Sequence, residues 1–305
     1  MRFFAFALLL PLLAAPAHAA ANIEPQEVEL HFLPRPGDKL RQSMDMKMQM
    51  AINMLPGAAT SDAERARLVE SAKTLGHGIS MDMGMTLRTE ASEADAKGDY
   101  LLHLRGEGGS IHMRMGDGSV KDLPNPVGGM EIDALTNEKR TGADILRMKS
   151  NLPAFKDSKA LNGVAEGILK QAFGAMSGLE GRRMKVGETA EIPFEMQMPM
   201  QQLPQNAHLK TSIAFTLKSI QHGVAHFDTA VKMSMEAGPS ENAGKDMKIA
   251  MSGSGTGVMD YRIADRLPMR HDIDALMHME FTTPTDVSMQ MDMKMQMNSR
   301  GERYR

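Results

Sequence analysis

Methionine is the residue type in this chain whose abundance and spacing point to chemistry. The 305 residues include 31 methionines but no cysteine and no tryptophan. The thioether is a soft, neutral ligand that suits Cu(I) and Ag(I). It is also a flexible apolar group that adapts to irregular partners, and oxidants convert it to the sulfoxide. Methionine therefore allows three uses here: soft-metal binding, apolar-ligand binding or scavenging of oxidants.

The heptapeptide MDMKMQM occurs twice, at residues 44–50 and 291–297. Successive side chains of a strand point to opposite faces, so each copy places its methionines on one face and Asp, Lys and Gln on the other. The first copy belongs to a longer alternation that runs from residue 40 to residue 54. We therefore expect two long, half-buried antiparallel strands that lie close together and close the sheet.

Similar alternation recurs on both sides of a central segment with helical periodicity. The sequence predicts a mainly β protein in which long antiparallel strands form a curved sheet or open barrel from two similar halves. Two helices are expected, a short one near residues 61–75 and a longer one near 158–176. Glycine-rich residues 106–109 and 253–257 are expected to be turns. The predicted organisation is a signal peptide at 1–20, an N-terminal β half at 21–122, a helical connection at 123–183 and a C-terminal β half at 184–305.

The first twenty residues have the pattern of a secretory signal. Arg2 precedes an apolar run at residues 3–13, and Ala17-His18-Ala19 fits a cleavage site. The chain has no cysteine that could be lipidated or form a disulfide. We therefore expect a soluble periplasmic protein that is not a lipoprotein and has no stable membrane anchor. A net charge of −3, evenly mixed along the chain, gives no reason to expect nucleic acid as a partner.

Motifs of common enzyme sites are missing from the sequence. It contains no cysteine nucleophile, no G-x-S-x-G turn, no H-E-x-x-H and no phosphate-binding glycine loop. Acidic residues are plentiful, but they occupy the polar positions of the alternating strands, where a solvated surface is the simpler interpretation. We therefore expect a non-enzymatic binding protein without a resident cofactor.

The first binding hypothesis is a carrier whose Met-lined interior takes an apolar small molecule or lipid, because methionine makes a compliant lining. The expected lining residues are Met44, Met46, Met48, Met50, Met81, Met83, Met85, Met196, Met198, Met291, Met293 and Met295. A buried face also argues against the third use, a sacrificial methionine antioxidant, because sulfoxide would place polar groups in the core. We expect most of these methionines to belong to the core.

The alternative hypothesis is Cu(I) or Ag(I) binding, as in exported copper-handling proteins with similar M-x-M runs. Methionines at i and i+2 of a strand lie about 6.8 Å apart, and those on a neighbouring strand about 5 Å apart, so three sulfurs can converge. The histidines at 112 and 278 could assist such a site, but they fall on polar positions typical of surface histidines. The candidate ligands are Met44, Met46, Met48, Met289, Met291 and Met293.

Two short steps next to long alternating strands indicate a loose internal repeat. They are Gly37-Asp38 and Val186-Gly187-Glu188. With these steps and its Met-alternating strands, the chain resembles an uncharacterised family of exported, Met-rich bacterial β proteins of unknown function. The resemblance covers most of the chain after the signal, and it implies no activity and no ligand.

Overall fold

The computed structural model describes residues 26–57, 60–63, 65–66, 78–123, 128–139, 142–149, 178–197, 208–237, 248–282 and 288–304. These residues contain fourteen strands. The strands are β1 (Glu27–Glu29), β2 (Lys39–Leu55), β3 (Ile79–Ala91), β4 (Asp99–Arg114), β5 (Val120–Leu123), β6 (Glu131–Asn137), β7 (Asp144–Lys149), β8 (Arg183–Lys185), β9 (Thr189–Gln197), β10 (His208–Gln221), β11 (Val224–Ala237), β12 (Lys248–Arg262), β13 (Leu267–Thr282) and β14 (Ser288–Arg303).

Twelve of the described strands form one antiparallel sheet, so the predicted mainly β fold is confirmed. Its order is β7-β6-β4-β3-β2-β14-β13-β12-β11-β10-β9, and β5 pairs with β4 outside this path. Each half of the chain supplies neighbouring strands, and the halves meet where β2 pairs with β14. The two heptapeptide copies lie in this central pair, with Met46 opposite Met297 and Met48 opposite Met295. The expected proximity of the copies is thus confirmed.

A second, two-stranded sheet of β1 and β8 packs against the C-terminal half. Met184 of β8 and the adjoining residues Leu30 and Leu179 are buried in one cluster with Leu217 and Tyr261 of the large sheet. The hydroxyl of Tyr261 donates to the carbonyl of His31 at 2.7 Å and accepts its N–H at 3.0 Å. Burial raises the pKa of Tyr261 to about 12, so this hydroxyl stays protonated.

The segment that follows β1 also reaches the N-terminal half. Leu33 is buried with Tyr100 and Leu102 of β4, and the Tyr100 hydroxyl donates to the carbonyl of Pro34 at 2.7 Å. Behind it, the Glu180 carboxylate accepts the N–H of Phe32 at 2.7 Å and contacts Nδ1 of His31 at 2.8 Å. Residues 28–34 therefore connect the cores of both halves.

Several boundaries differ from the sequence prediction. The glycine-rich residues 106–109 and 253–257, expected to be turns, lie inside β4 and β12. Residues 253–257 are paired with both β11 and β13, and residues 106–109 continue the pairing of β4 with β3 across a register shift. This pairing outweighs the low strand propensity of glycine. Strands β6 and β7 lie within the segment expected to be a helical connection.

The two expected helices are covered only in part. Residues 62–63 and 65–66 are helical, and the N–H of Arg65 donates to the carbonyl of Ser61 at 2.8 Å, as expected for the start of the short helix. The remainder of that helix, and the whole of the one expected near 158–176, lie outside the described residues.

Candidate functional site

The methionines of the central strands form rows across one face of the large sheet. Directly opposite residues of an antiparallel pair project from the same face, so the register defines each row. One row runs Met113, Met81, Met48, Met295, and the next runs Ile111, Met83, Met46, Met297. A third runs Met50, Met293, Met277, and a fourth Ile52, Met291, Met279, Met251, Met235. We call the surface made by these four rows the Met face.

The predicted lining residues lie on the same side of the sheet as the Met face wherever their side chains are described, including Met44 and Met85, which pair with each other beyond the four rows. All of those on β2, β3 and β14 are partly buried, neither enclosed in a core nor fully exposed. The buried methionines of the described residues are instead Met184, Met235 and Met259. Of the remaining two predictions, Met196 lies in β9 opposite Leu209, and Met198 lies outside the described residues.

The six candidate metal ligands do not come together as one group. Met46 and Met48 pair with Met297 and Met295 near one end of the central strands, and Met44 lies opposite Ser299. Towards the other end, Met289, Met291 and Met293 lie opposite Met54, Ile52 and Met50. The register instead places Met48 between Met81 and Met295, and Met46 between Met83 and Met297. Each of these triads draws one methionine from each of three strands.

A cavity with a volume of about 930 Å³ lies among the described residues. Of the predicted lining residues, only Met50 and Met293 contact it. It crosses the central strands, and most of its wall comes from residues at the polar positions, such as Gln49, His278 and Lys294. The Met face is therefore an extended surface, and this cavity is mainly a feature of the opposite, polar face.

Histidines on the polar face form pairs with carboxylates of neighbouring strands. Nδ1 lies 2.7 Å from the carboxylate in the His103–Asp133 and His278–Asp292 pairs, 2.5 Å in His112–Asp122 and 2.8 Å in His226–Asp260. The hydrogen bond from His103 is the main reason that the pKa of Asp133 lies below its usual value. The described residues contain no group of three or more His, Cys, Asp or Glu side chains suited to a metal ion.

His271 is a further titratable residue that sequence reasoning missed. It lies on the same side as the Met face, opposite Met259 of β12, and its ring is 6.2 Å from that of Phe215. Its Nε2 is buried without a hydrogen-bond partner among the described residues, and burial lowers its pKa. The sequence did contain a signal for this burial. His271 alternates in step with Ile273 and Ala275, which places the imidazole on the apolar side of the strand.

No helix among the described residues is long and apolar enough to cross a bilayer. No family model and no curated protein matches the chain. Among solved structures, it is similar to Pseudomonas aeruginosa OccK5 (OpdH), with 5% identity and a TM-score of 0.28 over 87% of this chain and 98% of that one. It is also similar to OpdQ of the same organism, with 8% identity and a TM-score of 0.23 over 88% of this chain and 100% of that one. A mutant of the Rh. blastica porin has 7% identity and a TM-score of 0.18 over 85% of this chain and 99% of its own.

These neighbours are outer-membrane porins, and they contradict the soluble periplasmic location predicted from the sequence. At these TM-scores the likeness extends to the sheet-rich character of the chains and not to a ligand.

Proposed function

We propose that the Met face binds an apolar, lipid-like molecule. The observation that supports this proposal is the continuity of the four rows, in which methionines stay partly exposed across β3, β2, β14 and β13. Contiguous exposed apolar surface on a protein marks an interaction site more often than isolated apolar residues do. Each apolar square ångström that a ligand covers contributes about 25 cal/mol, so rows of this length favour an extended ligand.

Methionine suits such a surface better than branched residues do. Its side chain has three rotatable bonds and a polarizable sulfur, so neighbouring thioethers can rearrange around ligands of different shape. The opposite face carries charged and amide groups at the alternate positions, such as Lys47 and Gln49, which keep that side hydrated. The sheet therefore presents one apolar and one polar surface, and the proposed ligand lies along the first.

The test compares two triple variants of the central row. Met48, Met81 and Met295 are changed together either to Gln, which puts amides on the Met face, or to Leu, which keeps it apolar. Binding of the apolar fluorescent probe N-phenyl-1-naphthylamine should weaken by about tenfold or more in the Gln variant. It should stay within about threefold of the unmodified protein in the Leu variant.

A control on the polar face, Gln49→Leu, should leave probe binding unchanged. Circular dichroism establishes that each variant keeps its strands. Equal probe affinity of a folded Gln variant and the unmodified protein would show that the Met face is not the binding surface.

A second candidate is binding of Cu(I) or Ag(I), which the two Met triads favour. Opposite Cα atoms of paired strands lie about 4.5–5.5 Å apart, within the reach of thioether side chains around one ion. The Leu variant separates the two candidates, because it removes three sulfurs but retains apolar area. If the central triad binds Cu(I), anaerobic titration followed by native mass spectrometry should show a defined Cu(I) stoichiometry for the unmodified protein and a lower one for the Leu variant. Retained stoichiometry in the Leu variant would exclude the central triad as the site.

A further inference from the structure

A compact group of cations lies on the polar face of the sheet, on the side opposite the Met face. A cavity of about 340 Å³ is lined there by residues of β2, β3, β4, β5 and β14. Two neighbouring rows supply its polar wall. One runs Lys294, Gln49, Ser80, Arg114, and the other Gln296, Lys47, Asp82, His112. The volume is at the lower end of the range for small-molecule sites, about 300–1,000 Å³.

The charges of this cavity are not balanced by its own residues. Lys47, Lys294 and Arg114 have no hydrogen bond or ion pair among the described residues, in contrast to Arg88, which contacts Glu107 at 2.5 Å. Asp82 is the single carboxylate of the described lining, and His112 is already bonded to Asp122. Three cations therefore face one anion.

The neutral residues of the lining add hydrogen-bond donors. The Ser80 hydroxyl and the Gln49 amide lie in the same row as Lys294 and Arg114. A guanidinium fork with nearby ammonium groups and neutral donors is suited to an oxyanion of more than one charge, because each oxygen can accept from a different donor. A monovalent anion would leave part of the positive charge unbalanced.

We propose that this cavity binds a phosphate or sulfate group. The residues Gln49, Ser80, Arg114 and Lys294 also line the 930 Å³ cavity, so the cationic end continues into a larger space. That continuity favours a monoester, whose organic part occupies the larger cavity while Lys47, Lys294 and Arg114 hold its anionic group. The site lies on the polar face and does not depend on ligand binding by the Met face.

The test is titration of the full chain with inorganic phosphate and with glycerol 3-phosphate, followed by 31P NMR and isothermal titration calorimetry. Saturable binding is expected. Lys47→Gln, Lys294→Gln and Arg114→Gln should each weaken it by about tenfold, the equivalent of one charge-assisted contact. Asp82→Asn should tighten binding, because it removes a negative charge that repels the bound phosphate.

The matched control is Lys139→Gln, which makes the same charge change at an exposed position in the turn after β6. It should leave the affinity unchanged. Tighter binding of glycerol 3-phosphate than of inorganic phosphate would assign the larger cavity to the organic part, and equal binding would assign the site to the free anion. Absence of saturable binding, or the same loss in the control variant, would overturn the proposal.

Discussion

Asp38 is the residue on which the turn before β2 depends. Its carboxylate is only 4% exposed, forms an ion pair with Arg303 of β14 and accepts the N–H of Arg35 at 3.0 Å. Asp38→Ala leaves the N–H of Arg35 without its acceptor and removes one of the two carboxylates that contact Arg303, the other being Asp265 at 3.3 Å. Hydrogen bonds to charged groups contribute about 1.5–3 kcal/mol. We expect a fall of about that size in the free energy of unfolding, measured by urea denaturation.

The matched control is Asp228→Ala, in which a carboxylate 57% exposed loses its Lys218 contact at 3.3 Å. Exposed ion pairs contribute about 0–1 kcal/mol, so this variant should be close to the unmodified protein. Equal effects of the two substitutions would show that the buried turn has no special importance for stability.

His271 gives the stability of the protein a dependence on pH. Burial lowers its pKa in the folded state, and the neighbouring Asp272 opposes this effect. Since the unfolded value is about 6.5, the unfolded chain takes up the proton first as the pH falls. The stability associated with the neutral imidazole is therefore fully present above about pH 6.5 and decreases below it, by at most about 1.4 kcal/mol per pH unit.

His271→Phe keeps a ring next to Phe215 but cannot be protonated. The unfolding free energy of this variant, measured from pH 8 to pH 5 by urea denaturation, should fall less steeply than that of the unmodified protein, by up to about 1.4 kcal/mol per unit. If the unfolding free energies of the two proteins had the same dependence on pH, His271 would not be the source of this pH dependence.

At the residue scale the sequence predicted faces but not partners. The alternation around Met48 and Lys47 places each on the face that the structure shows, because strand parity depends only on the backbone. The register that sets Met48 between Met81 and Met295 brings together β2 and β14, which lie at opposite ends of the chain. The same holds for His278, whose parity was clear but whose Asp292 partner depends on how β13 pairs with β14.

At the scale of elements, the glycines of β12 allow close contact with β13. A Cβ atom added at Gly255 would lie 2.8 Å from both Cβ of Ala275 and the carbonyl oxygen of Asp274. Gly255→Val should therefore lower the free energy of unfolding by about 1–3 kcal/mol, as for other overpacked sites. Urea denaturation measures this change.

Gly142 provides the control, because a Cβ atom there would have no neighbour within 4 Å. Gly142→Ala should change stability by less than about 0.5 kcal/mol. If Gly255→Val were equally neutral, the close approach of β12 and β13 would not be needed for the fold.

The same glycines explain why parts of the element prediction were wrong. Local propensity favours turns at residues 106–109 and 253–257, but the structure pairs both stretches inside long strands. Tertiary context overrides propensity at both sites. At 253–257 the glycines allow β13 to approach closely, and at 106–109 β4 continues its pairing with β3. By contrast β2 was predicted well, because alternation over its whole length leaves little room for another structure.

At the scale of the whole molecule, the order of the strands determines where the sheet opens first. Strands β2 and β14 each have a neighbour on both sides, whereas β7 pairs only with β6 and β9 only with β10 among the described strands. Opening an edge strand breaks one ladder of hydrogen bonds, but opening the central pair breaks several and separates the two halves. Local opening therefore costs less free energy at the edges.

Hydrogen exchange followed by mass spectrometry measures this difference. After correction for intrinsic rates, peptides that cover residues 44–50 and 291–297 should exchange at least about 100-fold more slowly than those that cover 144–149 and 189–197. Peptides of β11 and β12, which also have two neighbours, serve as the internal reference and should follow the central pair. Equal protection of centre and edges would contradict this order of opening, because it requires β7 and β9 to be covered by a further partner.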